Sequence, residues 1–168
     1  AQMIEWFCQS LPGLMSSKRS FVKIRRDMKR HWEQMNQMLY QKKCGSTCSI
    51  WLGVNHHYQV FHVGDSRIYR LHKKLDLLTT DHRLPESNIL WQCIGCGHSL
   101  KIQYKHGRIR RGDIFLLGTD GLFGRLNEAY LCEEFEPSYM LGREELKKGA
   151  RHLFRLIRKK GERDDATL

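Results

Sequence analysis

An α+β fold, with helices laid against an antiparallel sheet or sandwich, is predicted by three features of the sequence. Apolar residues recur at helical spacing near both ends of the chain. Between the ends their period shortens to two over a series of short runs. Residues that favour tight turns punctuate those runs.

The first predicted helix covers residues 1–11, where Met3, Ile4, Phe7, Cys8 and Leu11 share one face and Pro12-Gly13 ends it. A longer amphipathic helix is predicted over residues 18–41, with Phe21, Ile24, Met28, Met35 and Leu39 inward and a strongly basic outer face. Three strands follow, at Thr47–Val54, Tyr58–Val63 and Ser66–Leu71. Asn55-His56-His57 sits where a hairpin turn belongs, and Gly64-Asp65 marks a second bend. Leu75–Thr79 continues the meander, and Ile89–Ile94, Leu100–Tyr104 and Asp113–Leu117 complete the β-rich centre. Residues 127–135 are predicted helical. So are residues 143–160, with Leu146, Ala150, Leu153, Phe154 and Ile157 on one face.

The chain of 168 residues is one domain's length, enough to bury about two-thirds of its unfolded surface. Its apolar content of 40% and 4 Trp imply a packed core rather than disorder. No apolar run approaches the ~20 residues needed to span a bilayer. The start, Ala1-Gln2-Met3-Ile4-Glu5-Trp6, lacks the basic region of a secretory signal, so the expected location is cytoplasmic. The cysteines Cys8, Cys44, Cys48, Cys93, Cys96 and Cys132 are then expected as free, mostly buried thiols. Cys93-Ile94-Gly95-Cys96 with His98 nearby is a weak zinc signal, because no second cysteine pair accompanies it. The net charge of +11 gathers at Lys18–Arg30, Arg108–Arg111 and Arg143–Lys160, faces that favour an anionic partner or are simply solvated. No signature of a nucleic-acid-binding module is present.

The most informative stretch is Gly112-Asp113-Ile114-Phe115-Leu116-Leu117-Gly118-Thr119-Asp120-Gly121-Leu122. A buried-strand run, Ile114–Leu117, drives into an Asp-Gly turn that delivers Asp120 to the mouth of a sheet. A carboxylate fixed at a strand end suits a hard cation or an acid/base role. Val63-Gly64-Asp65-Ser66-Arg67 lies upstream and Arg163-Asp164-Asp165-Ala166-Thr167 downstream. Taken singly, each is better explained as a turn or a solvated charge run. Together they suggest a metal site built of carboxylates.

The ordered set Gly45-Ser46-Thr47, Gly64-Asp65-Ser66-Arg67, Thr79-Thr80-Asp81-His82, Gly118-Thr119-Asp120-Gly121 and Arg163-Asp164-Asp165 resembles the PPM family, the metal-dependent protein phosphatases of type 2C, in its bacterial form. The resemblance runs over essentially the whole chain. It implies two antiparallel sheets packed as a sandwich with helices on both outer faces, and hydrolysis of phosphoserine and phosphothreonine in proteins. It also implies two Mn or Mg ions, often with a third nearby. Such ions lower the pKa of a shared water and clamp phosphoryl oxygens. By the resemblance, Asp120 and Asp164 match the aspartates that hold the core metals, and Asp65 matches a ligand of the third ion. Asp165 stands where the family usually has Asn. Ser66 and Arg67 look structural, and His82 is a supporting or structural residue. Expected partners are phosphorylated proteins, including a cognate serine/threonine kinase.

The family's first metal motif, Asp-Gly-x-Gly-Gly, and its phosphate-binding Arg do not occur in these residues, and the flap between His82 and Asn88 is short. The expectation is a single PPM-type domain over 1–168 that is incomplete at both ends. The alternative is a non-catalytic PPM-like pseudophosphatase that acts as a protein-binding module.

Overall fold

The computed structural model describes residues 20–124, 126–140, 142–159 and 166–168. The predicted helix at 1–11 lies outside them. The elements run α1 (Phe21–Gln41), β1 (Cys48–Val54), β2 (His57–Val63), β3 (Arg67–Leu71), β4 (Leu75–Leu77), β5 (Gln103–Arg108), β6 (Ile114–Gly118), α2 (Asp120–Phe123), α3 (Glu128–Glu134) and α4 (Arg143–Lys159). The strands form two antiparallel sheets, ordered β1-β2-β5 and β4-β3-β6.

The helix predicted from residue 18 begins at Phe21, because the Ser20 side chain accepts the Lys23 N–H and caps it. Its apolar stripe of Ile24, Met28, Trp32 and Met35 packs on Leu52, Phe61 and Val63 of the first sheet. The β1–β2 hairpin closes through Asn55 (φ 47°) and His56 (φ 61°). Both lie in the left-handed region that a two-residue hairpin loop demands, so His57 belongs to the strand rather than to the turn.

Alternation along β2 sets up the layers. Phe61 and Val63 face α1, whereas Tyr58 and Val60 meet Ile68 and Leu78 between the sheets, with Trp51, Phe115 and Leu117 alongside. On the far side Tyr69, Leu71 and Leu116 pack against Leu122, Leu131, Phe135, Leu153 and Ile157. The order of layers is helix, sheet, sheet, helices, which is the predicted sandwich with helices on both faces.

Several boundaries differ from those predicted. Ile89–Ile94 is not a strand: its backbone makes only single bridges, Arg83 with Leu90 and Ser46 with Ile94. Its apolar side chains do not share one core, since Ile89 and Trp91 are exposed while Ile94 is buried under α1. The strand predicted at Leu100–Tyr104 slides to Gln103–Arg108. The ladder to β2 runs from Gln103 opposite His62 to Arg108 opposite His57, and Leu100 and Ile102 serve as packing residues at the edge of the core. β4 stops at Leu77, after which the Leu78 N–H still donates to the Ile68 carbonyl.

The expectation of free thiols is corrected at one pair: Cys93 and Cys96 are joined as a disulfide. Gly95, at φ 90°, turns the chain so that their Cα atoms lie 5.2 Å apart, and Asn36 holds the loop by accepting the Gly95 N–H and donating to the Gly97 carbonyl. Cys44, Cys48 and Cys132 are free.

Candidate active site

The register of β3 against β6 decides where the two described candidate carboxylates fall. Their ladder ends with Arg67 opposite Gly118. Asp65 lies two residues before that pair and Asp120 two residues after it. Both therefore leave the sheet at the same end. Burial raises the Asp65 carboxyl above its usual range, and the negative field of Asp120 raises it further. Asp65 therefore lies within electrostatic reach of Asp120.

Asp65 is held by a dense polar frame. Gly64 adopts φ 113°, and a Cβ there would sit 2.4 Å from the Thr47 side chain, so only glycine makes this turn beside β1. The Gly64 N–H donates to His82 Nδ1 at 3.2 Å, and the His82 N–H donates to the Gly64 carbonyl at 2.8 Å. The acceptor role at Nδ1 fixes a neutral ring with its proton on Nε2. Ser66 is bound twice, by its carbonyl to Ser49 Oγ at 3.3 Å and by its hydroxyl to Thr47 Oγ1 at 3.3 Å. Arg67 donates to both Asp81 oxygens, with the shortest contact at 2.7 Å from Nη2. Behind these sits His62, fully buried between the sheets, with Nδ1 2.7 Å from Ser49 Oγ and Nε2 3.1 Å from the Thr80 carbonyl. Burial, and then the neighbouring His82, lower the His62 pKa to about 4.

Asp120 is positioned differently. The predicted Asp-Gly turn is instead the first turn of α2, with Thr119 as its N-cap residue. Leu122 and Phe123 are buried against the second sheet, and drawing them inward coils the backbone after Asp120. The carboxylate accepts the Gly121 N–H at 3.0 Å. Gly118 is packed so tightly that a Cβ would lie 2.7 Å from both the Phe123 ring and the Thr167 carbonyl. Thr119 exchanges two bonds with Thr167: its N–H donates to the Thr167 carbonyl, and its hydroxyl accepts the Thr167 N–H at 3.2 Å. The C-terminal residues thus run beside the start of α2. Asp164 and Asp165 lie outside the described residues.

Among the described residues no three His, Cys, Asp or Glu side chains come together as a cation site. Asp65 and Asp120 do fit a hard cation in type, being oxygen donors at a shared sheet end whose mutual repulsion a cation would relieve. His62 is the residue that sequence reasoning missed. Its signal was only an inward position on a strand, which apolar residues share.

No protein-family model matches the sequence, and no curated protein matches it. Solved structures do match the fold. The serine/threonine phosphatase of S. agalactiae superposes with a TM-score of 0.78 at 22% identity, over 94% of this chain and 76% of that one. PppA, a regulatory component of the T6SS in Pseudomonas aeruginosa, gives 0.77 at 21% identity, over 90% and 70%. The chain has the PPM-type phosphatase fold. The catalytic domain of the phosphatase PstP, solved with two manganese ions, gives 0.73 at 20% identity, over 95% and 75%. The PPM fold accounts for both sheets and for the helices on each side. At these identities the likeness speaks for architecture, and the chemistry rests on the residues. None of the described helices is long and apolar enough to cross a membrane.

Proposed function

We propose that residues 1–168 form one PPM-type domain, in part, that hydrolyses phosphoserine and phosphothreonine in proteins. The supporting observation is the convergence of Asp65 and Asp120 at one end of the β3–β6 ladder, each after a glycine that its neighbours leave no room to replace. In this reading Asp120 and Asp164 hold the core metal ions and Asp65 a further one, with Mn or Mg as the cation. Bound there, the ions would supply an activated water and neutralise phosphoryl charge. The chain's own contribution is positional. Arg67–Asp81 and His82 keep the Asp65 turn rigid, and the buried Leu122–Phe123 pair anchors Asp120.

The basic outer faces of α1 and α4 suit acidic phosphoprotein surfaces, including that of a cognate kinase, in a cytoplasmic setting. Mn-dependent release of phosphate from a phosphothreonine peptide by the full-length protein tests the reading. Asp120→Ala should cut turnover by more than about a hundredfold, as loss of a principal electrostatic group does. Unchanged turnover refutes the site. The second reading is a non-catalytic PPM-like binding module. That module would show neither turnover nor a Mn-dependent thermal shift.

A further inference from the structure

On the α1 side of the first sheet, a cavity of about 340 Å³ opens between the start of α1 and the β2–β5 edge. Neither Asp65 nor Asp120 lines it. Its walls are aromatic, formed by Phe21, His57 and Tyr104, with Phe21 edge-on to His57 at 5.7 Å between centroids. In its floor lies Gln59, only 1% exposed, whose amide oxygen and nitrogen both lack a hydrogen-bond partner among the described residues. An unpaired primary amide under an aromatic cavity is a vacant donor and acceptor, side by side.

A second cavity of about 340 Å³ adjoins it, sharing Arg25 and Tyr104. The Arg25 guanidinium stacks 4.3 Å over the Tyr104 ring. Lys29 and Lys101 complete a cationic rim that includes no carboxylate, although Lys29 also pairs with Glu33 at 3.7 Å. An amide-floored chamber and a cationic one therefore lie side by side, with Arg25 and Tyr104 common to both.

We propose that this double cavity binds a purine nucleoside monophosphate. The base lies among the aromatic walls with its donor–acceptor edge on Gln59, the pairing that glutamine makes with adenine. The phosphate lies between Arg25, Lys29 and Lys101, where charge complementarity favours an anion. A chamber of this volume is at the lower end of the range for small-molecule sites. Pairing requires only that the Gln59 side chain turn outward about its own torsions. No bond is made or broken, and the site is independent of the proposed hydrolytic centre.

Calorimetric titration of the full-length protein with AMP in EDTA tests this, because chelation silences metal-dependent hydrolysis while leaving this site intact. Saturable binding is expected, with adenosine and ribose 5-phosphate each at least about tenfold weaker. The exposed substitution Arg25→Ala should weaken AMP about tenfold without changing the unfolding temperature. Gln59→Leu should remove base recognition, so that AMP binds no better than ribose 5-phosphate. Asp120→Ala should leave binding unchanged. No saturation at millimolar AMP, affinity that survives both Gln59→Leu and Arg25→Ala, or affinity lost with Asp120→Ala would each overturn the proposal.

Discussion

Acidification should destabilise the protein through one buried ring, His62. In the fold its pKa is lowered to about 4, against 6.5 for the free side chain, because burial disfavours the imidazolium and His82 adds a second nearby ring. Between those two values the unfolded chain binds a proton that the folded chain refuses. The stabilisation is complete above the unfolded pKa and is lost as the pH falls toward the folded one. Integrated over this single site, the loss between pH 7.5 and pH 5 is about 2 kcal/mol. Urea unfolding of the full-length protein, followed by tryptophan fluorescence at both pH values, measures it. His62→Gln removes the titration, so the difference in slope between the two proteins isolates the ring. Equal losses in wild type and variant would refute the reasoning. Should the variant fail to fold, an NMR titration of the ring in the wild type decides the matter, and a pKa near 6.5 would sink it.

Three experiments probe the frame itself. Trp32→Ala empties a fully buried site under α1 and should cost about 3–5 kcal/mol, a fall in melting temperature of roughly 10 °C by calorimetry. Gly64→Ala forces a left-handed alanine against Thr47 and should cost about 3 kcal/mol in the urea midpoint; an unchanged midpoint would show that the turn can relax. A double-mutant cycle of Arg67→Met with Asp81→Asn should give a coupling of roughly 1–2 kcal/mol, and a coupling near zero would remove that pair from the frame of Asp65.

Where local chemistry and fold agreed, the sequence was readable. The stripe of Phe21, Ile24, Met28 and Met35 announces a helix, although its start is set by the Ser20 cap rather than at residue 18. Asn55-His56-His57 announces a hairpin, of which only Asn55 and His56 form the loop. The resemblance carried by the ordered motifs implies the sandwich, and the two sheets match it. Legibility failed where the partner rather than the segment decides the structure. The 89–94 run has the apolarity of a strand, yet its backbone amides bond in different directions: that of Trp91 to the His82 carbonyl and that of Ile94 to the Ser46 carbonyl. The strand expected at Leu100 starts three residues later because the ladder with β2 sets its register, and the polar β5 gives no period of its own. Compartment alone does not decide the cysteine pair, because Gly95 and Asn36 shape the loop that joins it.

The two described carboxylates reach one sheet end by opposite means. Asp65 sits in a turn fixed almost entirely by polar groups: an imidazole acceptor, two hydroxyl contacts and a guanidinium–carboxylate fork. Asp120 starts a helical turn that is drawn inward by Leu122 and Phe123 and anchored to the chain end through Thr119 and Thr167. Polar frames loosen when protonation or salt weakens their bonds, whereas apolar anchors respond chiefly to temperature and packing. Asp65 should therefore lose its position first on acidification and Asp120 first on mutation of the second core. A site that needs both carboxylates at once is confined to conditions under which both kinds of support persist.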